Sequence, residues 1–293
     1  MESFSQKLKS ELVALPIESY KATYYELYSL LLFAIESSSG ETILLPPENS
    51  YVTSRILHLI KFLPLKEPKK SIKIKYYSEL NPIEKSISIP QSMNFDSIKS
   101  TDISDLFIHA FLRGIFLFCG SVVNPENEYH LELCINSGKL KDFTLEIIGK
   151  LENVDFGLKL INRRNAYVLY SKSAEQIIDF LVFIGAKNCA MELIQIKMLK
   201  KVRNDVNRTT NFETANIAKI TNSSSVQIEA IKKLKKLKKI NELPDSLKEI
   251  ADLRMENPYS SLEDLANKTK DKLSKSGVNH RLRKIVKIAE SLA

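Results

Sequence analysis

Tryptophan is absent from this 293-residue chain, glycine occurs eight times and cysteine three times. No stretch of about eighteen consecutive apolar residues occurs, so no transmembrane helix is expected. The first eleven residues are polar and mixed in charge. They lack the basic start and apolar middle of a signal peptide, which predicts a cytosolic protein. Cys119, Cys134 and Cys189 are an odd, unclustered set inside apolar stretches, a poor disulfide framework; they read as small buried residues. His58, His109, His130 and His280 are scattered, with no pair at the spacing that sets two ligands on one helix face. Neither a metal nor a cofactor is expected.

Positive charge is present but uneven. Residues 196–293 hold 22 Lys+Arg against 12 Asp+Glu, a balance of +10, whereas the preceding residues balance at −2 within a total of +8. A polyanion-binding module appended to a near-neutral body follows, with DNA, RNA or an anionic membrane as its partner.

The body alternates helical and strand patterns. Residues 21–37 read as a buried helix, 42–45 as a strand, 51–63 as a helix, and 71–77 and 86–89 as strands, with Ile72 and Ile74 opposite Lys73 and Lys75. The series then begins again: helix 104–120, strand 129–135, helix 139–151, a hairpin 157–170 turning at Arg163 and Arg164, and helix 173–186. Residues 27–35 (LYSLLLFAI) align with 112–120 (LRGIFLFCG) at an offset of 85. This predicts a duplicated unit, with repeat halves of about 18–95 and 103–186, arranged as a pseudo-two-fold pair. Beyond it all is helical: a helix 191–208, a second started by a capping box at Thr210–Glu213, and a third over 225–240 with Ile228, Ile231, Leu234, Leu237 and Ile240 inward. Pro244 opens the next, Ser260–Glu263 is another capping box, and a last helix runs over 276–292. The lysines among 232–239 are expected to be a solvated face.

The nonapeptide at Leu112 resembles the LAGLIDADG motif of homing endonucleases through Leu112, Gly114 and Gly120. In that fold two such helices pack side by side, and small residues let the backbones approach; Gly114, Gly120, Ser29 and Ala34 suit the role. The nuclease's metal-binding acids are missing: the equivalent positions are Ala34 and Cys119, and neither can ligate magnesium. More specifically, residues 114–126 (GIFLFCGSVVNPE), 129–132 (YHLE), 184–188 (IGAKN), 202–208 (VRNDVNR), 211–216 (NFETAN) and 274–284 (SKSGVNHRLRK) resemble, in order, the WhiA family of bacterial regulators. Ile35, where that family usually has glycine, is a departure.

The resemblance implies an α+β fold: a duplicated LAGLIDADG-like pseudo-dimer with mixed sheets over 1–200, catalytically inactive, then a basic connecting segment 201–220, then an all-α helix-turn-helix domain over 221–293. It implies a non-catalytic, sequence-specific binder of double-stranded DNA. That protein would be a transcriptional regulator linked to cell division and chromosome segregation, with sporulation the target in spore-forming relatives. It would be cytoplasmic and nucleoid-associated, with protein partners in transcription or division and no membrane role. The residues agree: Val278, Leu282, Ile285, Ile288, Ala289 and Leu292 stripe the rear of the last helix. Ser274, Lys275, Ser276, Asn279, His280, Arg281, Arg283 and Lys284 offer donors to bases and phosphates from its first turns. Ser274 and Ser276 are candidate N-caps. Arg203, Asn207 and Arg208 are candidates for DNA-backbone or interdomain contact. Lys73, Lys75, Lys159, Arg163 and Arg164 fit a wet sheet face better than a DNA saddle. Rival readings are a metal-dependent endonuclease, an RNA-binding or ribosome-associated protein, and a small-molecule sensor using the old catalytic cleft.

Overall fold

The computed structural model describes residues 2–36, 42–45, 50–63, 69–78, 81–93, 95, 99–152, 154–164 and 166–292. Residue contacts divide the chain into two compact units, one up to Lys200 and one from Lys201 onward.

The first unit opens on a helix that the sequence reading passes over, α1 (Phe4–Ala14). Ser3 caps it reciprocally with Gln6, and Phe4, Leu8 and Leu12 bury a narrow stripe. Only three apolar residues face inward, so the segment looks polar overall. Helix α2 (Tyr20–Glu36) follows, started by Ser19 Oγ accepting from the Ala22 amide at 3.2 Å. Residues Leu27 to Ala34 are all buried, which explains their continuous apolar character.

Three strands and one helix complete the first repeat: β1 (Thr42–Leu44), α3 (Ser50–Ile60), β2 (Lys69–Ser78) and β3 (Asn81–Pro90). The sheet order is β1-β2-β3, with β1 parallel and β3 antiparallel to β2. β3 starts earlier than the apolar pattern alone indicates, because its first six residues are exposed. Pro82 is tolerated there on an edge strand.

The second repeat begins with two short 3₁₀ turns over residues 100–107, then α4 (Ile108–Cys119), which therefore starts later than the apolar run predicts. It continues with β4 (Gly120–Val122), β5 (Leu131–Ile135), α5 (Gly138–Gly149), β6 (Lys159–Arg163), β7 (Ala166–Ser171) and α6 (Ala174–Ile184). These strands form one antiparallel sheet in the order β4-β5-β7-β6. Arg164, at φ 47°, takes the left-handed position of the β6–β7 turn.

Helices α2 and α4 pack against each other through pseudo-equivalent positions. Ser29 and Gly114 are 85 residues apart, the offset of the repeat, and they touch: a Cβ on Gly114 would lie 1.9 Å from Ser29 Oγ and 2.8 Å from the Glu26 carbonyl. Contact between equivalent positions is what a two-fold arrangement requires.

Beside that contact lies a buried charge network. Glu26, 1% exposed, accepts from Arg55 Nε at 2.6 Å, Arg55 Nη2 at 3.0 Å and Arg113 Nη1 at 3.1 Å. Arg55 Nη1 donates to the carbonyls of Val13 and Leu15, and Arg113 Nε to that of Ile184. Arg113 Nη2 reaches Glu18 at 2.7 Å, and His109 Nε2 lies 2.7 Å from the other Glu18 oxygen. Burial raises the Glu18 pKa, but the hydrogen bonds from His109 and Arg113 outweigh it and hold the carboxyl below its ordinary value of 4.5.

A 50-residue helix, α7 (Lys187–Lys236), crosses from one unit into the other. This corrects the expectation of three helices with a new start at Thr210. Residues 187–236 contain neither glycine nor proline, so nothing interrupts the ladder. Thr210 therefore lies inside a continuous helix rather than at a start, and its neighbour Thr209 bonds Oγ1 back to the Asp205 carbonyl at 3.0 Å. The helix gives Cys189, Ala190 and Leu193 to the first core and Ala230, Ile231 and Leu234 to the second. Leu237 is exposed, against expectation, because the helix ends at Lys236 and Lys238 turns left-handed at φ 55°.

The second unit adds α8 (Asp245–Glu256), α9 (Leu262–Lys268) and α10 (Lys275–Glu290). The capping box before α9 is Ser261 with Asp264, one residue later than the sequence reading places it. Leu292, beyond the end of α10, is 36% exposed rather than inward.

Replacing Glu26 by Gln removes the carboxylate that buried Arg55 and Arg113 share, leaving Arg113 only the half-exposed Glu18. A loss of about 3–5 kcal/mol in folding stability is expected from chemical denaturation. The lowered Glu18 pKa stabilises the fold above the ordinary carboxyl value, and that contribution is lost as pH falls below 4.5 through the folded-state value. In Glu18→Gln the acid limb of the stability curve should flatten over that window.

Candidate nucleic-acid interface

Helix α10 is held by a framework of capping and turn bonds. Ser274 is its N-cap, with φ −74° and ψ 156°, and its Oγ accepts from the Gly277 amide at 3.2 Å. Ser276 Oγ lies 2.9 Å from the same oxygen, so of the two candidate caps Ser274 serves and Ser276 supports it. The turn from α9 is ordered by Thr269, whose Oγ1 donates to the Ala266 carbonyl and accepts from the Leu273 amide. Lys272 occupies a left-handed position there, at φ 45°. The Lys270 amide donates to Glu249 Oε1 of α8 at 2.9 Å. Arg254, 2% exposed, donates through Nη1 to the Ser260 carbonyl at 2.8 Å and fixes the α8–α9 corner. At the far end Lys233 Nζ donates to the Ala289 carbonyl at 2.8 Å, a cation at a helix C-terminus.

At 100° per residue, the apolar stripe Val278, Leu282, Ile285 and Ala289 fixes which residues face solvent. Ser276, His280, Arg283 and Lys284 fall together on the opposite, exposed face. Lys287 joins them; it sits four residues after Arg283, a spacing from which sequence reading could have included it. Ser274 and Lys275 are exposed at the helix entrance. Two predicted residues lie on the flanks instead. Arg281 is half-buried and donates to the Ser246 carbonyl at 3.3 Å. Asn279 is half-buried and lines a cavity of about 430 Å³ with Gln227, Leu262 and Arg283.

The lysines around the end of α7 have local partners in three cases: Lys233 with Ala289, Lys235 with Asp252 at 3.2 Å, and Lys239 with Glu242 at 2.7 Å. Arg203, Asn207 and Arg208 are exposed on one side of α7.

In the first unit Ala34 and Cys119, the two positions at which the resemblance expects acids to be missing, are at the C-terminal ends of the paired helices. Ala34 is fully buried. Cys119 is half-buried and lines a cavity of about 320 Å³ with Phe33, Glu36, Cys134 and Ser137. Ser137 Oγ donates to Glu36 Oε1 at 2.8 Å. Among the described residues no group of three or more His, Cys, Asp and Glu is placed to hold a metal ion. On the neighbouring sheet face Arg163 pairs with Glu132 at 3.3 Å and Lys75 with Glu84 at 3.8 Å, so part of the basic strand charge is neutralised locally. Of the cysteines, Cys189 is buried as expected, but Cys134 is exposed. Among the described residues no helix is long and apolar enough to cross a membrane.

Residues 108–203 match the family model of the WhiA LAGLIDADG-like domain, and residues 206–289 that of the WhiA C-terminal HTH domain. A protein called probable cell division protein WhiA from Caldicellulosiruptor saccharolyticus is 46% identical over 183 residues, covering 62% of this chain and 55% of that protein. Its counterpart in Clostridium perfringens is 45% identical over 185 residues, 62% of this chain and 57% of that one. The matches to these two relatives thus span little more than half of the relatives' length. The Clostridium botulinum protein of the same name is 37% identical over 214 residues, 73% of this chain and 67% of its own. The crystal structure of full-length DUF199/WhiA from Thermatoga maritima superposes with a TM-score of 0.55 at 31% identity, covering 99% of this chain and 98% of that one. The fold is accordingly α+β, a LAGLIDADG-like domain with its sheets followed by a helical helix-turn-helix region.

Removing the α10 cap by Ser274→Ala should cost about 1 kcal/mol of stability, measurable as a shift in the denaturant midpoint at unchanged slope.

Proposed function

The chain belongs to the WhiA family, and from that premise we propose that it is a non-catalytic, sequence-specific DNA-binding protein that regulates transcription in connection with cell division and chromosome segregation. The observation that carries the reading is the open face of α10, where Ser276, His280, Arg283, Lys284 and Lys287 stand clear of the core. A helix with that face turned to a major groove offers base-edge donors from its first turns and phosphate contacts along its length. Ser274 and Lys275 join at the entrance, while Asn279 and Arg281 border the face. Arg203, Asn207 and Arg208 are proposed to add backbone contacts. The domain boundaries follow: a catalytically inactive body over 1–200, a basic connection over 201–220 and the DNA-binding domain over 221–293.

Loss of catalysis rests on chemistry. A methyl group at Ala34 has no lone pair to offer a metal. Burial pushes the Cys119 thiol up to about 12, so it stays protonated at neutral pH. A cytoplasmic, nucleoid-associated protein that works with partners in transcription or division completes the proposal.

The test is a salt titration of binding to duplex DNA carrying a site selected from random sequence. The double variant Arg283→Ala, Lys284→Ala should bind at least tenfold more weakly. The slope of log K against log salt should be shallower by about one for each phosphate contact removed. Unchanged affinity and slope, or tighter binding to structured RNA in direct competition, would reject the assignment; magnesium-dependent cutting of the duplex would reject the non-catalytic part.

A further inference from the structure

From the juxtaposition of Cys119 and Cys134 across the start of the second sheet, we infer that these two residues form an oxidative modification site, a reversible intramolecular disulfide at the seat of one lost acid. The inference is independent of the DNA-binding reading.

Three observations converge on the pair. The antiparallel register of β4 on β5 is Gly120 with Leu133, Ser121 with Glu132 and Val122 with Leu131. Cys119, the last residue of α4, immediately precedes Gly120, and Cys134 immediately follows Leu133 in β5. The Val123 amide donates to the His130 carbonyl at 2.9 Å, which fixes the phase of the ladder. Opposed residues of antiparallel strands lie about 4.5–5.5 Å apart at Cα, a range that a disulfide spans, and the two cysteines are the next residues beyond the last such pair. Next, both residues line the same cavity of about 320 Å³, which has room for the sulfurs to rotate toward each other. Finally, the backbone of Cys134 is among the groups that act on the ionisation of Cys119, whose sulfur donates to the Ile115 carbonyl at 3.3 Å.

Exposure assigns the roles. Cys134 is exposed on the outer face of β5, so an oxidant reaches it first. Cys119 is half-buried, with burial opposing its ionisation and Lys9 of α1 within electrostatic reach of its sulfur. It is slow to meet the oxidant, and because burial keeps it protonated its proton must leave as it attacks the oxidised neighbour. With hydrogen peroxide as the oxidant, the Cys134 thiolate attacks one peroxide oxygen and the O–O bond breaks. The departing hydroxide takes up the thiol's proton and leaves as water, giving a sulfenic acid. The Cys119 sulfur then attacks the Cys134 sulfur, and the S–O bond breaks as the S–S bond forms. The released hydroxide takes the Cys119 proton as a second water. Two thiols and one peroxide thus give one disulfide and two waters. The bridge ties the last turn of α4 to the middle of β5 and is undone by any thiol reductant. Cys189, fully buried in the core, takes no part.

The test treats the reduced full-length protein with a small excess of hydrogen peroxide, blocks remaining thiols and maps peptides without reduction. Residues 114–139 carry no internal Lys or Arg, so trypsin leaves both cysteines in one peptide. A second cleavage after Glu126 or Glu128 separates them. The expected result is a pair of pieces joined until a reductant is added, formed in native protein and in Cys189→Ser, and absent from Cys119→Ser and Cys134→Ser. Oxidation of Cys134 to sulfinic acid with Cys119 still free to be alkylated would overturn the inference. So would a link to Cys189 in its place, or a 119–134 link that forms only after denaturation.

Discussion

Two guanidinium groups and one carboxylate with almost no access to solvent meet where α2, α3 and α4 converge, and the first unit depends on their agreement. Each ion carries a desolvation cost of several kcal/mol, offset only when every donor finds an acceptor. Glu26 supplies both oxygens to three nitrogens, and Glu18 with the carbonyls of Val13, Leu15 and Ile184 takes remaining directions. The set therefore fixes more than a helix pair. It ties the end of α1, the face of α3 and the end of α6 to one carboxylate. A slide of α4 along α2 by one turn would strand Arg113 from Glu26 and drive Gly114 off Ser29 together. The register that brings the two repeats into their paired arrangement is set by electrostatics and sterics at the same place.

The second unit solves a smaller problem with different means. Its core is aliphatic, and its corners are closed by single polar bonds: Arg254 to Ser260, Lys270 to Glu249, Lys233 to Ala289. These bonds anchor both ends of α10 from behind. Its cationic side is left free of packing duties apart from Arg281, which is drawn to the Ser246 carbonyl.

Much of this was legible in the residues. The alternation in 71–77, the apolar runs of α2 and α4, and the offset of 85 reported the elements and their duplication, because burial imposes periodicity directly. The stripe on α10 likewise marked Ser276, His280, Arg283 and Lys284 as exposed, although Asn279 and Arg281, grouped with them in sequence, lie on the flanks. What escaped notice shares a cause. α1 buries only three side chains, so its helical period is faint. The unity of α7 is encoded by missing breakers rather than by any pattern that is present. Thr210–Glu213 has the residues of a cap, but it lies inside an uninterrupted helix that leaves no free first turn for a cap to serve. Glu26, Arg55 and Arg113 are far apart in sequence and each resembles a surface charge until the fold buries it. Cys134 was expected inside because its neighbours are apolar, yet in a strand every second residue faces out.

The Ser29–Gly114 contact has a consequence for symmetry. Two identical helices meeting on a dyad would present either serine to serine, which collides, or glycine to glycine, which leaves a void. The present pair fits because one copy supplies the hydroxymethyl group and the other the space for it. Such a joint cannot be rebuilt from two copies of either repeat alone. Joining the repeats in one chain is what allows the two sides of the contact to differ.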